Sequence, residues 1–250
     1  MTPLLPCFLA RNVGVLVFLI LFVPGIGDAK TPAAPDTSAA VLDDLPLIEV
    51  PARATAGHVL VVHLTGDGGY GVTDKGIANR LADNGVPVVV LNTRRYFWTV
   101  RTPEGASVDL ARILRHYLSA WNADRFVMVG YSFGADVAPF LLTRLPADLR
   151  ARLRLLVLLG PSEAAHFHLT LGDLIVGESA KGPYKVAPEL ERLRGIPMEC
   201  FYGEKDKEAI GGTLDPTLAT SYKMSGGHRV GKNFDLIVRK ILEGTRQQQR

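Results

Sequence analysis

An α/β architecture, a mostly parallel sheet with helices on both faces, is predicted by three observations. Short β-rich runs recur at 58–65, 86–93, 125–130, 153–160 and 198–203. Several are apolar throughout, as strands buried on both faces of a parallel sheet must be. Between them lie stretches with helical spacing, so strand and helix alternate as right-handed βαβ crossovers do. Such a sheet holds its ligand site beyond the carboxyl ends of its strands. At 250 residues, with 47% hydrophobic and 21% charged content, the chain is long enough for one well-buried domain.

Taken in order, the chain starts with Arg11 ahead of an unbroken apolar run at 13–23, VGVLVFLILFV. The run is shorter than the roughly 20 residues a spanning helix needs. Pro24 and Gly25 end it before the small-residue stretch Gly27-Asp28-Ala29. Residues 1–29 therefore read as a signal peptide cleaved after Ala29, with an uncleaved signal anchor as the alternative; either one delivers the body to the periplasm. Residues 30–45 are rich in Ala, Pro, Thr and Asp without an apolar period, and read as a flexible arm. Residues 46–250 form the single domain.

Within that domain Leu110, Ile113, Leu114, Tyr117, Leu118 and Trp121 share one helical face, with Thr102 as cap and Pro103 in the first turn. A second helix is expected at 133–145 and a final one at 233–242, after a short strand at 220–224. Residues 162–187, with the run AHFHLTLGDLIV, break the alternation and read as a lid insertion.

Cysteine is sparse: Cys7 sits in the leader and Cys200 in the body, so no intrachain disulfide survives cleavage. No Cys or His cluster has ligand spacing, and neither a metal nor an organic cofactor is expected. The net charge of +3 argues neither way about nucleic acid, and no such partner is expected. Arg94, Arg95 and Arg101 are clustered, a local basic patch of the kind an anionic lipid surface attracts.

The chemistry centres on Gly130-Tyr131-Ser132-Phe133-Gly134, a G-x-S-x-G between the strand RFVMVG and an apolar helix. This is the nucleophile elbow of the α/β-hydrolase fold: a strained turn pushes the serine oxygen out above the sheet, at a helix end that favours negative charge. A serine hydroxyl needs a base, and behind such an elbow the chain order is serine, acid, histidine. Of six histidines, only His228, in Ser225-Gly226-Gly227-His228, satisfies that order. The acid is expected at Asp206, three residues past the glycine ending MECFYG, with Glu204 and Glu208 as rivals. The glycines of Gly66-Asp67-Gly68-Gly69 let bare backbone approach a substrate oxygen, so the amide of Asp67 or Gly68 joins that of Phe133 as the expected oxyanion hole. The Lys-Ser/Thr ending of a phosphate loop is missing from this stretch.

Several linked motifs resemble the bacterial virulence proteins VirJ and AcvB. They are Leu64-Thr65-Gly66-Asp67-Gly68-Gly69, Arg95-Tyr96-Phe97-Trp98, Arg101-Thr102-Pro103-Glu104, the elbow continued through Ala135-Asp136-Val137, Leu159-Gly160-Pro161-Ser162, and Gly226-Gly227-His228. The resemblance implies an exported α/β-hydrolase that cleaves the aminoacyl ester of lysyl- or alanyl-phosphatidylglycerol at the periplasmic face of the inner membrane. It also implies that Ser132 and His228 carry the family's serine and histidine. The sequence departs from the family pattern at Tyr70, where a tryptophan is common, at Arg229, where a second histidine is common, and at Cys200, which has no partner cysteine nearby.

An aminoacyl ester of this lipid offers an ammonium beside a phosphate, so its pocket should present both signs of charge. Arg95 or Arg101 is expected at the phosphate, where the guanidinium fork suits oxygen pairs. Asp136, Asp67 or Glu163 is expected at the ammonium. Two other readings stay open: a carboxylesterase or lysophospholipase sharing the triad, and a non-catalytic periplasmic scaffold for a secretion system.

Overall fold

The computed structural model describes residues 42–54, 57–170, 172, 182–229 and 234–246. The expected signal peptide and most of the arm therefore lie outside the described residues, as does the middle of the 162–187 insertion. The last residues of the expected arm belong to the domain instead: Leu45 is buried and Leu42 packs against the core.

Seven strands build the main sheet: β1 (Leu47–Val50), β2 (Val59–Leu64), β3 (Val88–Leu91), β4 (Arg125–Tyr131), β5 (Leu153–Leu159), β8 (Met198–Gly203) and β9 (Thr220–Met224). Their order is β1-β3-β2-β4-β5-β8-β9. Only β1 runs antiparallel, against β3; every other neighbouring pair is parallel. All the β-rich runs of the sequence are strands, trimmed by a residue or two at some ends. The edge strand β1 is the addition, and its half-exposed pattern hides it from a search for wholly apolar runs.

Alternate strand residues feed two cores. Leu60, Val62, Leu64, Met128, Leu156 and Leu158 face one layer, which holds helices α3 (Pro103–Ala120) and α4 (Phe133–Thr143). Val61, Val88, Val90, Val127, Val129 and Val157 face the other, where α1 (Val72–Asp83) packs with the closing helix Phe234–Arg246. Helix α3 starts where its residues say it should: the Thr102 hydroxyl accepts the Gly105 amide and Pro103 opens the first turn. Helix α4 is buried at ten of its eleven residues. Each buried Leu or Phe there contributes about 1.5–3 kcal/mol of transfer free energy.

The topology fixes where a ligand can enter. From β2 the chain crosses through α1 to β3 on one side, then returns past β2 to β4 on the other. The loops after β2 and β4 thus leave toward opposite faces and open a crevice between them.

The 162–187 segment carries a two-stranded ribbon, β6 (Ala164–Ala165) against β7 (Tyr184–Lys185). The Phe167 ring packs edge-on against Phe97 and Phe140, and His166 against Phe133. The described ends of the segment are thus seated on the α4 layer.

Candidate active site

Ser132 sits between β4 and α4 with φ 52° and ψ −121°, a left-handed conformation that a non-glycine residue holds only when its surroundings force it. The forcing contacts are visible. A Cβ on Gly130 would lie 2.5 Å from the Gly134 carbonyl oxygen, and one on Gly134 would lie 2.3 Å from that of Leu64. Backbone therefore fills the space on both sides of the turn, and the Ser132 amide is tied to the Leu159 carbonyl at 2.8 Å.

The histidine and acid loops are joined before they reach the serine. Beyond the β8–β9 pairing, the amides of Glu204 and Lys205 donate to the carbonyls of Met224 and Gly226 at 2.8 and 2.9 Å. This zipping aims both loops at the elbow. Ser132 Oγ lies 2.7 Å from His228 Nε2, and His228 Nδ1 lies 2.8 Å from Asp206 Oδ2. A carboxylate only accepts, so Nδ1–H donates to Asp206 and Nε2 is left to accept the serine proton. Asp206 Oδ1 also accepts the Glu208 amide at 3.1 Å, so both carboxylate oxygens are engaged. The Asp206 side chain is 5% exposed, whereas that of His228 is 44% exposed and open to a ligand. The rivals Glu204 and Glu208 are exposed on the same loop.

A cleft of about 350 Å³ opens over Ser132 and His228, lined also by Asp67, Asp74, Tyr131 and Arg229. Gly66 to Gly69 form a tight turn closed by the Gly69 amide on the Gly66 carbonyl at 3.0 Å. Gly66 lies so close to the elbow that a Cβ there would meet the Ser132 Cβ at 3.4 Å. The turn holds its central residues, Asp67 and Gly68, beside the serine. Phe133 opens α4, where a first-turn amide has no carbonyl partner inside the helix. The geometry thus brings Ser132, His228, Asp206, Asp67, Gly68 and Phe133 together.

The remaining expected residues lie elsewhere. Asp136, expected at an ammonium, is 2% exposed, and both its oxygens are taken by Ser162, Oδ1 by the amide and Oδ2 by the hydroxyl, each at 2.7 Å. Burial pushes its carboxyl up to about 8, against the opposing Ser162 hydrogen bonds. It joins α4 to the loop after β5 and is closed to a ligand.

Arg101, expected at a phosphate, lies over the Tyr96 ring at 4.5 Å, with its Nε donating to the Tyr96 carbonyl. Glu163, the third expected ammonium partner, is exposed beside Lys185 at 3.7 Å. Arg95 is exposed on the short helix α2 (Thr93–Tyr96). None of these four lines the cleft; the charges that do are Asp67, Asp74 and Arg229.

Two neighbours of the site escape a reading by motif. His63 of β2 and Asp74 of α1 are each 1% exposed and joined at 2.8 Å, Nε2 to Oδ1. Asp74 Oδ2 also accepts the Gly71 amide at 2.9 Å. Together they bracket the 65–71 loop that carries Asp67 and Gly68. The one available signal is an acid three residues past a glycine cap. Among the described residues no group of three His, Cys, Asp or Glu could hold a metal ion.

Comparison with known proteins agrees with this architecture. The family model described as Bacterial virulence protein (VirJ) matches residues 58–249. No curated protein matches the chain. Among solved structures, MenH from S. aureus superposes with a TM-score of 0.59 at 13% identity, covering 82% of this chain and 99% of its own. Est1E from Butyrivibrio proteoclasticus gives 0.58 at 13% identity, over 81% and 96%. MGS-MChE2, an alpha/beta hydrolase from a lagoon-sediment metagenome of Mar Chica, Morocco, gives 0.53 at 16% identity, over 80% and 94%. The fold is that of the α/β-hydrolases.

Proposed function

The chain belongs to the bacterial virulence protein (VirJ) family, and we propose that it is a periplasmic serine hydrolase cleaving the aminoacyl ester of lysyl- or alanyl-phosphatidylglycerol. The observation that carries the hydrolase reading is the unbroken Ser132–His228–Asp206 chain, at 2.7 and 2.8 Å. The lipid reading comes from the family resemblance, supported by the mixed charge of the cleft.

In this reading Ser132 Oγ attacks the aminoacyl carbonyl while His228 Nε2 takes its proton. Asp206 holds the imidazole tautomer and balances the imidazolium. The oxyanion is met by the Phe133 amide and by that of Asp67 or Gly68. His228 returns the proton to the departing glycerol oxygen, and phosphatidylglycerol leaves. Water, deprotonated by His228, then attacks the acyl-serine, releasing the free amino acid and restoring Ser132. The Asp67 carboxylate is the cleft's partner for the substrate ammonium, and Arg229 for the phosphate. In the same reading the apolar run at 13–23 is an export signal, and the reaction takes place at the outer face of the inner membrane.

The test is purified protein assayed on lysyl- and alanyl-phosphatidylglycerol beside short soluble esters, with a fluorophosphonate probe on wild type and Ser132→Ala. Release of the amino acid, with labelling lost in Ser132→Ala, is expected. Robust short-ester cleavage without amino-acid release would leave a general carboxylesterase or lysophospholipase. No labelling of either protein would leave a non-catalytic scaffold.

A further inference from the structure

We propose that the rim around the cleft mouth is a docking surface for an anionic phospholipid bilayer. Arg94, Arg95, Trp98 and Val100 form one side of it, and Val72 and Arg229 the other. The inference takes its occupant from the reading of the substrate as a membrane lipid, but its observations are separate.

The first observation is a pinned, exposed crest. Helix α2 is locked to the loop beside Ser132, because the Thr93 hydroxyl donates to the Thr65 and Gly66 carbonyls at 2.9 and 2.8 Å. The chain then enters the core at Phe97, whose ring lies 5.1 Å from that of Phe133 at the start of α4. It is fastened there on both sides: the Leu169 amide donates to the Phe97 carbonyl, and the Arg101 amide to the Phe167 carbonyl. Between these fastenings Trp98, Thr99 and Val100 project as a short crest, with Trp98 47% and Val100 67% exposed.

The second observation is what stands beside the crest. Val72, in the lining of the cleft itself, is 78% exposed. Three of the five large hydrophobic side chains most open among the described residues therefore lie in the segments that follow β2 and β3, at the end of the sheet that carries the cleft. Trp98 and Val100 share the crest and Val72 opens α1, so they form two small apolar points rather than the contiguous apolar core that a protein interface buries. A lone tryptophan flanked by cations is instead the composition that settles at a membrane interface.

The third observation is charge. Arg53, Arg80, Arg112, Arg144 and Arg194 are held by carboxylates, and Arg125, Arg150 and Arg152 are exposed without an ion pair among the described residues. Arg94, Arg95 and Arg229 enter no ion pair among the described residues, and all three are exposed. Arg94 stands against the cleft loop, its Cβ 3.6 Å from where a Cβ on Gly69 would be. Unpaired guanidinium groups around an opening suit a surface of phosphates, and would hold the bilayer where a lipid headgroup can enter the cleft.

The experiment measures partition of the full chain, made inert by Ser132→Ala, onto phosphatidylglycerol/phosphatidylcholine vesicles and onto phosphatidylcholine alone. Taking the anionic-to-neutral ratio, and each variant relative to its parent, cancels any contribution of residues 1–41. Arg94→Ala with Arg95→Ala should lower the ratio about 30-fold, and Trp98→Ala should lower binding to both vesicle types. The paired lysine variant should stay within about threefold. In the Ser132 background the alanine pair should cleave a short soluble ester at the wild-type rate.

A wild-type ratio near one, or an alanine pair that binds as its parent does, overturns the docking surface. Expected vesicle behaviour without cleavage of aminoacyl lipid leaves the docking standing and removes the substrate reading. Aminoacyl-lipid cleavage in detergent micelles with rim-independent vesicle binding does the reverse.

Discussion

Replacing Asp206 with asparagine separates the acid from its neighbours on the same loop. The carboxylate accepts from His228 Nδ1 at 2.8 Å and loses a full charge when it becomes an amide. Coulomb's law at that separation gives about 6 kcal/mol for an effective dielectric near 20 and about 1.5 kcal/mol in bulk water. Asp206 is nearly closed to solvent while His228 is 44% exposed, so the stabilisation of the imidazolium falls between these limits, at about 3–4 kcal/mol. The asparagine amide also favours the wrong imidazole tautomer, which works in the same direction. Turnover of a short soluble ester should therefore fall about 10²–10³-fold in kcat, with KM little changed because Asp206 touches no substrate. Glu204→Gln and Glu208→Gln, at exposed positions, should stay within about twofold of wild type. An Asp206→Asn enzyme within threefold of wild type, or a tenfold loss in either glutamine variant, would refute the assignment of the acid.

Three further outcomes follow from the packing around the site. The Asp136 carboxyl, raised by burial to about 8 from 3.8, keeps a proton in the folded protein that the unfolded chain has shed between those values. Stability should therefore fall as pH rises from about 4 to 8, by at most about 1.4 kcal/mol per pH unit. Urea midpoints across that window should decline less steeply for Asp136→Asn, and parallel curves would sink the argument. Gly134→Ala places a Cβ 2.3 Å from the Leu64 carbonyl and should cost about 3 kcal/mol by chemical denaturation. At Gly68 a Cβ meets nothing within 4 Å, and alanine there should stay within about 0.5 kcal/mol; equal costs at the two positions would contradict the close-packed elbow. Asp74→Ala leaves the buried His63 ring without its carboxylate and should lose about 3 kcal/mol in the same assay, whereas a loss under about 1 kcal/mol would show the pair to be incidental.

How much of this was legible in the sequence depends on how local each signal is. The elbow is fully local, since two glycines at fixed spacing, a strand before and a helix after specify Ser132 without reference to the rest of the chain. His228 and Asp206 are legible through chain order, because the βαβ topology brings the ends of β4, β8 and β9 to one side. Helix α1 gives a weak signal because its packed face holds only Ile77, Ala78, Leu81 and Ala82 beside the buried Asp74, with two of its four apolar residues alanine, and Lys75, Asn79 and Arg80 fill the exposed side. With that helix unseen, Asp74 had no address, and His63 read as a plain strand residue.

Side-chain direction was the harder problem, and Asp136 shows why. Its position in the first turn of α4 is correct, and a helix exposed on one side would have presented it to solvent. The α4 helix is covered by the sheet, by α3 and by the 162–187 ribbon, so the carboxylate meets Ser162 instead. The charges that reach the cleft belong to the loops around Ser132: Asp67 in the glycine turn after β2 and Arg229 next to His228. A loop that must place a catalytic atom within a few tenths of an ångström also fixes its neighbours, and those neighbours are the first side chains an entering ligand meets. On the proposed function, charge selection and bond cleavage are therefore mechanically coupled. A substitution at Arg229 should disturb the His228 loop as well as ligand affinity, whereas Arg94 and Arg95 are exposed side chains on a helix that Thr93 holds in place, and can change docking without touching turnover.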